Sequence, residues 1–370
     1  MPKAKETVLE IDLGALAHNY QYLRSRLAAN TMFMGVVKAF AYGSDSVAIA
    51  LKLQQLGFEY LAVAYAKEGV ALRKAGITLP ILVLHPLPIS FKKMIKHRLE
   101  PNIYSFKILR EFIAEAEKSE VIDFPVHIKF NTGLNRLGFL EEDVRQIAEM
   151  AMGQNSIQVA SVFSHLAASE DLNERDFTKR QLATFDRIAN AMRASLPNKP
   201  FRHTLNTSGI INYAHEAQYE LVRSGIGLYG YGNEALIDKE LRPVATLKTI
   251  ISQIHHIKEG DTIGYNRKFT AEKPIVTATL PIGHADGIGR PYGNRKGFVW
   301  INGQKAPIIG NVCMDMIMVE VTEIDCQEGD EVILFGKQAS AETLAKGAGT
   351  ISYEILTGIS QRVKRQIVDK

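Results

Sequence analysis

The sequence predicts an α/β fold, a (β/α)8 TIM barrel followed by a mostly antiparallel β domain. Three observations carry this. Short apolar runs alternate with amphipathic segments over roughly the first 230 residues. The alternation stops near Leu236, and β-rich stretches punctuated by Gly, Pro and Asn-Gly follow it. At 370 residues, the chain also exceeds one ordinary core of ~100–200 residues. The expected division is 1–11, a strand joining the β domain; 12–235, the barrel; and 236–370, the β domain.

A strand over 7–11 opens the chain, and Asp12 suits the N-cap of a helix carrying Leu16, Tyr20, Leu23 and Leu27 at helical spacing. Buried strands are read at 32–37, 60–64, 81–84, 102–104, 126–130, 159–163, 201–205 and 220–223. Between them, 46–56, 67–75, 106–117, 141–152 and 177–194 carry the one-sided apolar spacing of helices. The β domain is read from 245–256, 275–282, 298–301, 306–309, 316–321 and 331–335, with Asn302-Gly303 as a hairpin turn. A helix over 341–345 then leads to a terminal segment at 351–368.

Composition excludes several function classes. The chain is 46% hydrophobic and 23% charged, as expected of a globular protein. No apolar run approaches the ~20 residues that span a bilayer. The lysines near the N-terminus have no apolar stretch behind them, so no signal peptide is expected. Two cysteines, Cys313 and Cys326, make no disulfide framework, suggest no zinc site and fit a reducing cytoplasm. The net charge is +4, and its one basic cluster, Arg362, Lys364 and Arg365, reads as a solvated terminus and not a nucleic-acid footprint.

Barrels of this type carry their chemistry at the C-terminal ends of the strands. The first strand ends at Lys38, the fifth at Lys129 before Arg136, and the sixth at Ser164-His165. The seventh contains His203 and ends at Asn206-Thr207, and the eighth ends at Arg223-Ser224-Gly225-Ile226-Gly227. Taken singly, a strand-end lysine is commonly a snorkelling surface residue and a strand-end histidine a structural one. Convergence on one mouth gives them weight. Lys38 after Gly-Val-Val places an ammonium beside apolar walls, where desolvation lowers its pKa and activates it as a Schiff-base nucleophile. Gly225 and Ile226 offer consecutive backbone N–H groups at the usual barrel phosphate site, and Thr207 and Tyr42 add hydroxyls. A lysine nucleophile beside a phosphate cradle implies pyridoxal 5′-phosphate (PLP).

Several segments carry a family pattern. They are Val36-Val37-Lys38-Ala39-Phe40-Ala41-Tyr42-Gly43, Thr132-Gly133-Leu134-Asn135-Arg136-Leu137-Gly138 and Val222-Arg223-Ser224-Gly225-Ile226-Gly227. Gly264-Tyr265, Gly283-His284-Ala285-Asp286-Gly287, Gly310-Asn311-Val312-Cys313-Met314-Asp315 and Ile351-Ser352-Tyr353-Glu354 complete the set. In that order they resemble the alanine racemases across nearly the whole chain.

The resemblance implies a PLP-dependent interconversion of L- and D-alanine by a homodimer with shared active sites, supplying D-alanine for peptidoglycan. It implies that Lys38 holds PLP and is one base, and that Tyr265 of the other subunit is the opposing base. It places Tyr42, Thr207, Gly225, Ile226 and Tyr353 on the phosphate, with His165 and Asn206 also at the cofactor. Arg223 faces the pyridine nitrogen, and Arg136 and Met314 meet the substrate. In some members the lysine at the position of Lys129 is carbamylated. As a base, Tyr265 needs a cationic or hydrogen-bonding neighbour to lower a reference pKa of ~10, and His165 is the expected partner. Arg223 favours racemisation over decarboxylation, since related decarboxylases place a carboxylate there. Departures from the commoner pattern are Asn131 for aspartate, Ser224 for proline, His284 for tyrosine and Asn311 for arginine. A serine-preferring racemase and a non-catalytic PLP-binding barrel are the alternatives. Cys313 reads either as a packing residue or as a reactive thiol.

Overall fold

The computed structural model describes residues 4–234 and 236–369. The chain divides into two compact units. One comprises Ala17–Ala41 and Ser46–Leu241, the other Met1–Leu16, Tyr42–Asp45 and Arg242–Lys370. A first strand, β1 (Val8–Asp12), is fully buried. The Asp12 carboxylate then accepts the N–H groups of Gly14 and Ala15, each at 3.0 Å, and so caps the helix Leu13–Arg24.

The larger unit is an eight-stranded parallel barrel. Its strands are β2 (Met32–Val36), β3 (Tyr60–Val63), β4 (Ile81–Val83), β5 (Leu99–Ile103), β6 (Phe124–Lys129), β7 (Ile157–Phe163), β8 (Phe201–His203) and β9 (Leu221–Ser224). They pair in chain order, and β2 also pairs with β9. Closure is completed by the Arg223 N–H, which donates to the Leu205 carbonyl at 3.0 Å. The barrel interior is identified by contacts across it. The Tyr60 ring on β3 lies 5.8 Å from that of His127 on β6 and 5.6 Å from that of Phe201 on β8. Outside, helices cover the opposite strand face, where a Cβ on Gly35 would sit 2.6 Å from Leu53.

Two features of this unit differ from the sequence reading. The strand expected over 102–104 begins earlier, at Leu99, because Glu100 is buried among polar partners and Pro101 is tolerated within the strand. Helices Phe91–Lys96 and Thr207–Ala217 also occur where no helix was read.

The smaller unit adds β10 (Ala245–Ile250), β11 (Gln253–Ile257), β12 (Thr262–Ile263), β13 (Phe269–Thr270), β14 (Ile275–Leu280), β15 (Phe298–Ile301), β16 (Gln304–Ile309), β17 (Ile317–Glu320), β18 (Glu331–Phe335) and β19 (Lys364–Val368). Nine of its strands form one sheet in the order β11-β14-β17-β16-β15-β18-β10-β1-β19, antiparallel at every pairing except β1 with β19. Asn302 and Gly303 have φ of 48° and 78° and connect β15 to β16, as a tight hairpin turn requires. The stretch 245–256, read as one, breaks into β10 and β11.

The basic tail is a correction to the reading of a solvated terminus. Lys364 and Arg365 lie in β19 alongside β1. Arg362 donates to both Asp286 oxygens at 2.7 and 3.1 Å, and Arg365 donates to the carbonyls of Gly43 and Ile359. Among the described residues no helix is long and apolar enough to cross a membrane.

Candidate active site

At the end of β2, Val36 and Val37 are buried and Lys38 emerges partly covered. Burial holds the Lys38 amine below its ordinary pKa, the Arg136 charge lowers it further, and Glu68 opposes both. The next four residues, Ala39, Phe40, Ala41 and Tyr42, all adopt left-handed backbone with φ between 52° and 55°. For L-residues that costs ~1–2 kcal/mol each, so the turn must be held from outside. Glu68 does part of this. One carboxylate oxygen accepts the Ala39 N–H at 2.8 Å, and the other accepts those of Ala64 and Tyr65 at 2.7 and 3.0 Å.

Across the mouth, Arg223 is buried on β9. It donates to the carbonyls of Ser164 and Thr204 at 2.8 and 3.1 Å, to His165 Nδ1 at 3.2 Å and, through its other terminal nitrogen, to His203 Nδ1. Every one of these recorded partners is neutral. Burial alone pushes the Arg223 pKa down to about 9. Burial, reinforced by the Arg223 charge, holds both imidazoles well below the ordinary histidine value. His165 is therefore a neutral ring at physiological pH. Its Nδ1 accepts from Arg223, which leaves an Nε2–H donor. Of the two environments that would suit Tyr265, His165 can supply a hydrogen bond, not a cation.

The helix Thr207–Ala217 begins beside β9. Asn206 caps it by accepting the Gly209 N–H at 2.9 Å and also accepts the Ser169 hydroxyl at 2.8 Å. Its side-chain oxygen thus shapes the helix start. Thr207 Oγ1 lies 3.0 Å from Ser224 Oγ and accepts the Gly227 N–H at 3.1 Å. A Cβ on Gly227 would fall 2.6 Å from Thr207, so this approach requires glycine. The buried N–H groups of Gly225 and Ile226 have no hydrogen-bond partner among the described residues. Two orphan amides beside a helix N-terminus form an anion cradle.

Lys129 closes β6. Burial, then the charges of Arg136, Arg223 and Lys38, push its pKa down to about 8. The exposed Arg136 sits on a loop organised by Asn131, whose side-chain oxygen accepts the N–H groups of Gly133 and Asn135 at 3.1 and 2.9 Å. An amide makes these bonds as well as the family's aspartate would, and without adding a carboxylate to the loop.

In the smaller unit, Tyr42 and Tyr353 face each other with ring centroids 6.0 Å apart. Burial raises the Tyr42 pKa, which keeps its phenol protonated as a donor. Tyr265 follows Gly264, whose φ is 75°, and is 73% exposed. With Cys313, Met314 and Met316 it lines an open groove of about 650 Å³. Asn311 donates to the Tyr265 carbonyl at 3.1 Å, so the residue in the arginine position anchors the tyrosine's backbone. Met314 is fixed by its carbonyl, which accepts the Ala285 N–H at 3.0 Å. Burial raises the Cys313 pKa, which removes the activation a reactive thiolate needs.

The structure thus gathers Lys38, Arg136, His165, Asn206, Thr207, Arg223, Gly225 and Ile226 in the barrel unit. Tyr42 pairs with Tyr353, and Tyr265 with Met314, in the other. The sequence reading missed Glu68 and the Thr132–Ser164 hydroxyl pair at 2.8 Å.

Residues 11–233 match a family model described as the alanine racemase N-terminal domain, and 244–367 match the alanine racemase C-terminal domain. The chain belongs to the alanine racemase family. Alanine racemase 1 of Clostridium acetobutylicum is 38% identical over 367 residues, covering 96% of this chain and 94% of that protein. The alanine racemase structure from Clostridium difficile 630 superposes with a TM-score of 0.93 at 33% identity, covering 100% of this chain and 97% of that one. The alanine racemase of Bartonella henselae, described with covalently bound pyridoxal phosphate, has a TM-score of 0.89 at 30% identity and covers 99% and 100%. Alanine racemases are isomerases, and the family is PLP-dependent. In this alanine racemase family member, Asn131 and Asn311 replace charged residues of the commoner pattern with amides that keep a hydrogen-bonding role.

Proposed function

We propose that this chain interconverts L- and D-alanine, moving the Cα proton between Lys38 on one face and the Tyr265 of a second copy on the other. The observation that carries this reading is a partly covered amine at Lys38, below its ordinary pKa, together with a buried Arg223 whose hydrogen-bond partners are all neutral.

The residues present fit PLP. An orphaned buried N–H costs ~1–3 kcal/mol, so the unpartnered amides of Gly225 and Ile226 favour an anion such as phosphate. Lys38 would hold the aldehyde carbon covalently. Thr207, Gly225 and Ile226, with Tyr42 and Tyr353, would take the phosphate, while Arg223 would take the ring nitrogen and His165 and Asn206 would line the site. When bound, PLP supplies the electron-withdrawing ring that stabilises negative charge at Cα.

The chain's own groups do the rest. Lys38 Nζ, with desolvation favouring its neutral form, takes or returns the proton on one face, and Tyr265 Oη does so on the other. Arg223, with a pKa at about 9, stays protonated near neutral pH, so it would donate a hydrogen bond to the ring nitrogen and keep its proton. Arg136 would orient the substrate carboxylate and Met314 of the second copy would confine its side chain.

Homodimerisation completes the site in this reading. Tyr265, Met314 and Met316 are 73%, 59% and 47% exposed, and the barrel unit exposes Phe40, Tyr65, Leu87 and Ile89. Exposed apolar clusters of this kind suit burial against another chain. A cytoplasmic homodimer supplying D-alanine for peptidoglycan is the corresponding biological role.

A coupled D-amino-acid oxidase assay on L-alanine and L-serine, with and without added PLP, tests this. Peroxide formed from L-alanine by the PLP-loaded protein is expected. No product from either substrate would contradict the racemase reading. A rate with L-serine exceeding that with L-alanine would replace it with a serine-preferring racemase, which the altered residues at His284 and Asn311 make worth including.

A further inference from the structure

The interior of a TIM barrel is ordinarily filled by bulky branched apolar side chains. Here a polar chain descends through it from the mouth. Arg223 on β9 donates to His203 Nδ1 on β8. His203 Nε2 lies 3.1 Å from Ser161 Oγ on β7, and that hydroxyl lies 2.6 Å from His127 Nδ1 on β6. His127 Nε2 in turn lies 2.7 Å from the Glu100 carboxylate on β5. All five residues are at most 7% exposed.

With neutral rings between them, the two ends fix the direction of every bond. A guanidinium can only donate and a carboxylate can only accept. His203 Nδ1 must therefore be an acceptor, its hydrogen must sit on Nε2, and that hydrogen goes to Ser161. The Ser161 hydroxyl is left to donate to His127 Nδ1, so the His127 hydrogen also sits on Nε2 and goes to Glu100. With both rings neutral, this is the one arrangement that satisfies all four bonds. Protonating His203, or moving its hydrogen to Nδ1, sets two donors against each other at a buried position, and moving the His127 hydrogen to Nδ1 sets its Nε2 lone pair against the Glu100 carboxylate. Burial, then the Glu100 charge, raises the pKa of the Tyr60 phenol, so it stays a protonated donor.

We propose that Glu100 is a positioning residue for the racemase reaction, acting through His127, Ser161 and His203 to fix the hydrogen-bond polarity that aims the Arg223 guanidinium into the site. The relay places a full negative charge at the far end of a chain whose near end is a cation with only neutral direct neighbours. It locks the lone pair of His203 toward one terminal nitrogen of Arg223, while the other is held by His165 and the carbonyls of Ser164 and Thr204. Glu100 itself touches neither substrate nor cofactor.

The inference rests on the racemase reading, but its first test does not use activity. In protein with ¹⁵N-labelled histidine, the ring-nitrogen shifts of His203 and His127 report which nitrogen carries hydrogen, with or without PLP. The expected result is two neutral rings protonated at Nε2. A hydrogen on Nδ1, or a doubly protonated ring, at either residue overturns the proposal even if the chain racemises alanine normally. The second test cuts the chain at its middle. Ser161→Ala should lower kcat about tenfold with little change in KM, shift the visible absorption of the bound cofactor and change the His203 shifts, while Ser161→Thr restores all three. A Ser161→Ala protein that loses thermal stability yet keeps wild-type kcat and absorption would show a purely structural network and overturn the proposal. Should that variant fail to fold, the wild-type tautomers still decide.

Discussion

The Arg223 guanidinium donates to His165 Nδ1 at 3.2 Å, which gives a cation a neutral imidazole as its neighbour where a carboxylate could have stood. The consequence is a fixed tautomer. With Nδ1 committed to Arg223, His165 can offer only an Nε2–H, and a phenolate is a suitable acceptor for it. A carboxylate beside Arg223 would have allowed His165 to charge and would have satisfied the guanidinium locally. The arrangement instead leaves Arg223 poised toward whatever enters the barrel mouth.

Tyr265→Phe removes the proposed base on one face and leaves Lys38 intact. Solvent-isotope exchange at Cα of L-alanine should fall ~10²–10⁴-fold, while exchange from D-alanine falls much less. Equal slowing from both enantiomers would contradict the two-base scheme.

Asn311→Leu removes the donor that holds the Tyr265 carbonyl at 3.1 Å. A typical hydrogen bond is worth ~0.5–1.5 kcal/mol, so the step assigned to Tyr265 should slow by roughly two- to tenfold. Exchange from D-alanine is the internal control and should stay near wild type. A uniform loss for both enantiomers would separate Asn311 from the tyrosine's function.

His165 and His203 give a pH dependence with a definite sign. Their folded pKa values lie well below the ordinary value of ~6.5, so below that pH the unfolded chain binds more protons. Their contribution to stability is complete above ~6.5 and is lost as pH falls toward their folded values. The slope is ~1.4 kcal/mol per pH unit for each, or ~2.7 for the pair. Urea midpoints between about pH 6.5 and 5.5 measure it, and His203→Gln should remove about half of the slope. A midpoint that does not fall over this range would show that the two rings charge in the folded protein.

Lys129 meets the conditions for carbamylation. It is only 7% exposed, its pKa is down at about 8, and Arg136, Arg223 and Lys38 present positive charge to it. A neutral amine attacks CO2 and loses a proton to solvent, which converts a repelled cation into an attracted anion. Native mass spectra in bicarbonate should show the mass of one added CO2 that disappears on acidification and in Lys129→Ala. No CO2 adduct on the wild type, or the same adduct on Lys129→Ala, would rule the carbamate out.

The repeating grammar of the chain was legible because burial on both faces forces strands such as Tyr60–Val63 and Ile81–Val83 to be continuously apolar. Lys38, Arg223 and the Gly225-Ile226 turn stood out because the strand order brings their positions to one mouth of the barrel. Glu100 and Pro101 hid the start of their strand, since a charged side chain inside a barrel makes sense only beside His127. The left-handed turn over Ala39, Phe40, Ala41 and Tyr42 carries no glycine or asparagine to announce it, and its stabilising carboxylate comes from Glu68, distant in sequence. The basic tail misled because Lys364 and Arg365 are exposed or half-exposed residues on an edge strand, where charge is compatible with pairing to β1.

The most direct measurement is borohydride reduction of the PLP-loaded protein followed by peptide mapping. The account predicts a pyridoxyl group on Lys38 and loss of both the label and racemase activity in Lys38→Ala. A label recovered on any other lysine, or a Lys38→Ala protein that still racemises alanine, would contradict it.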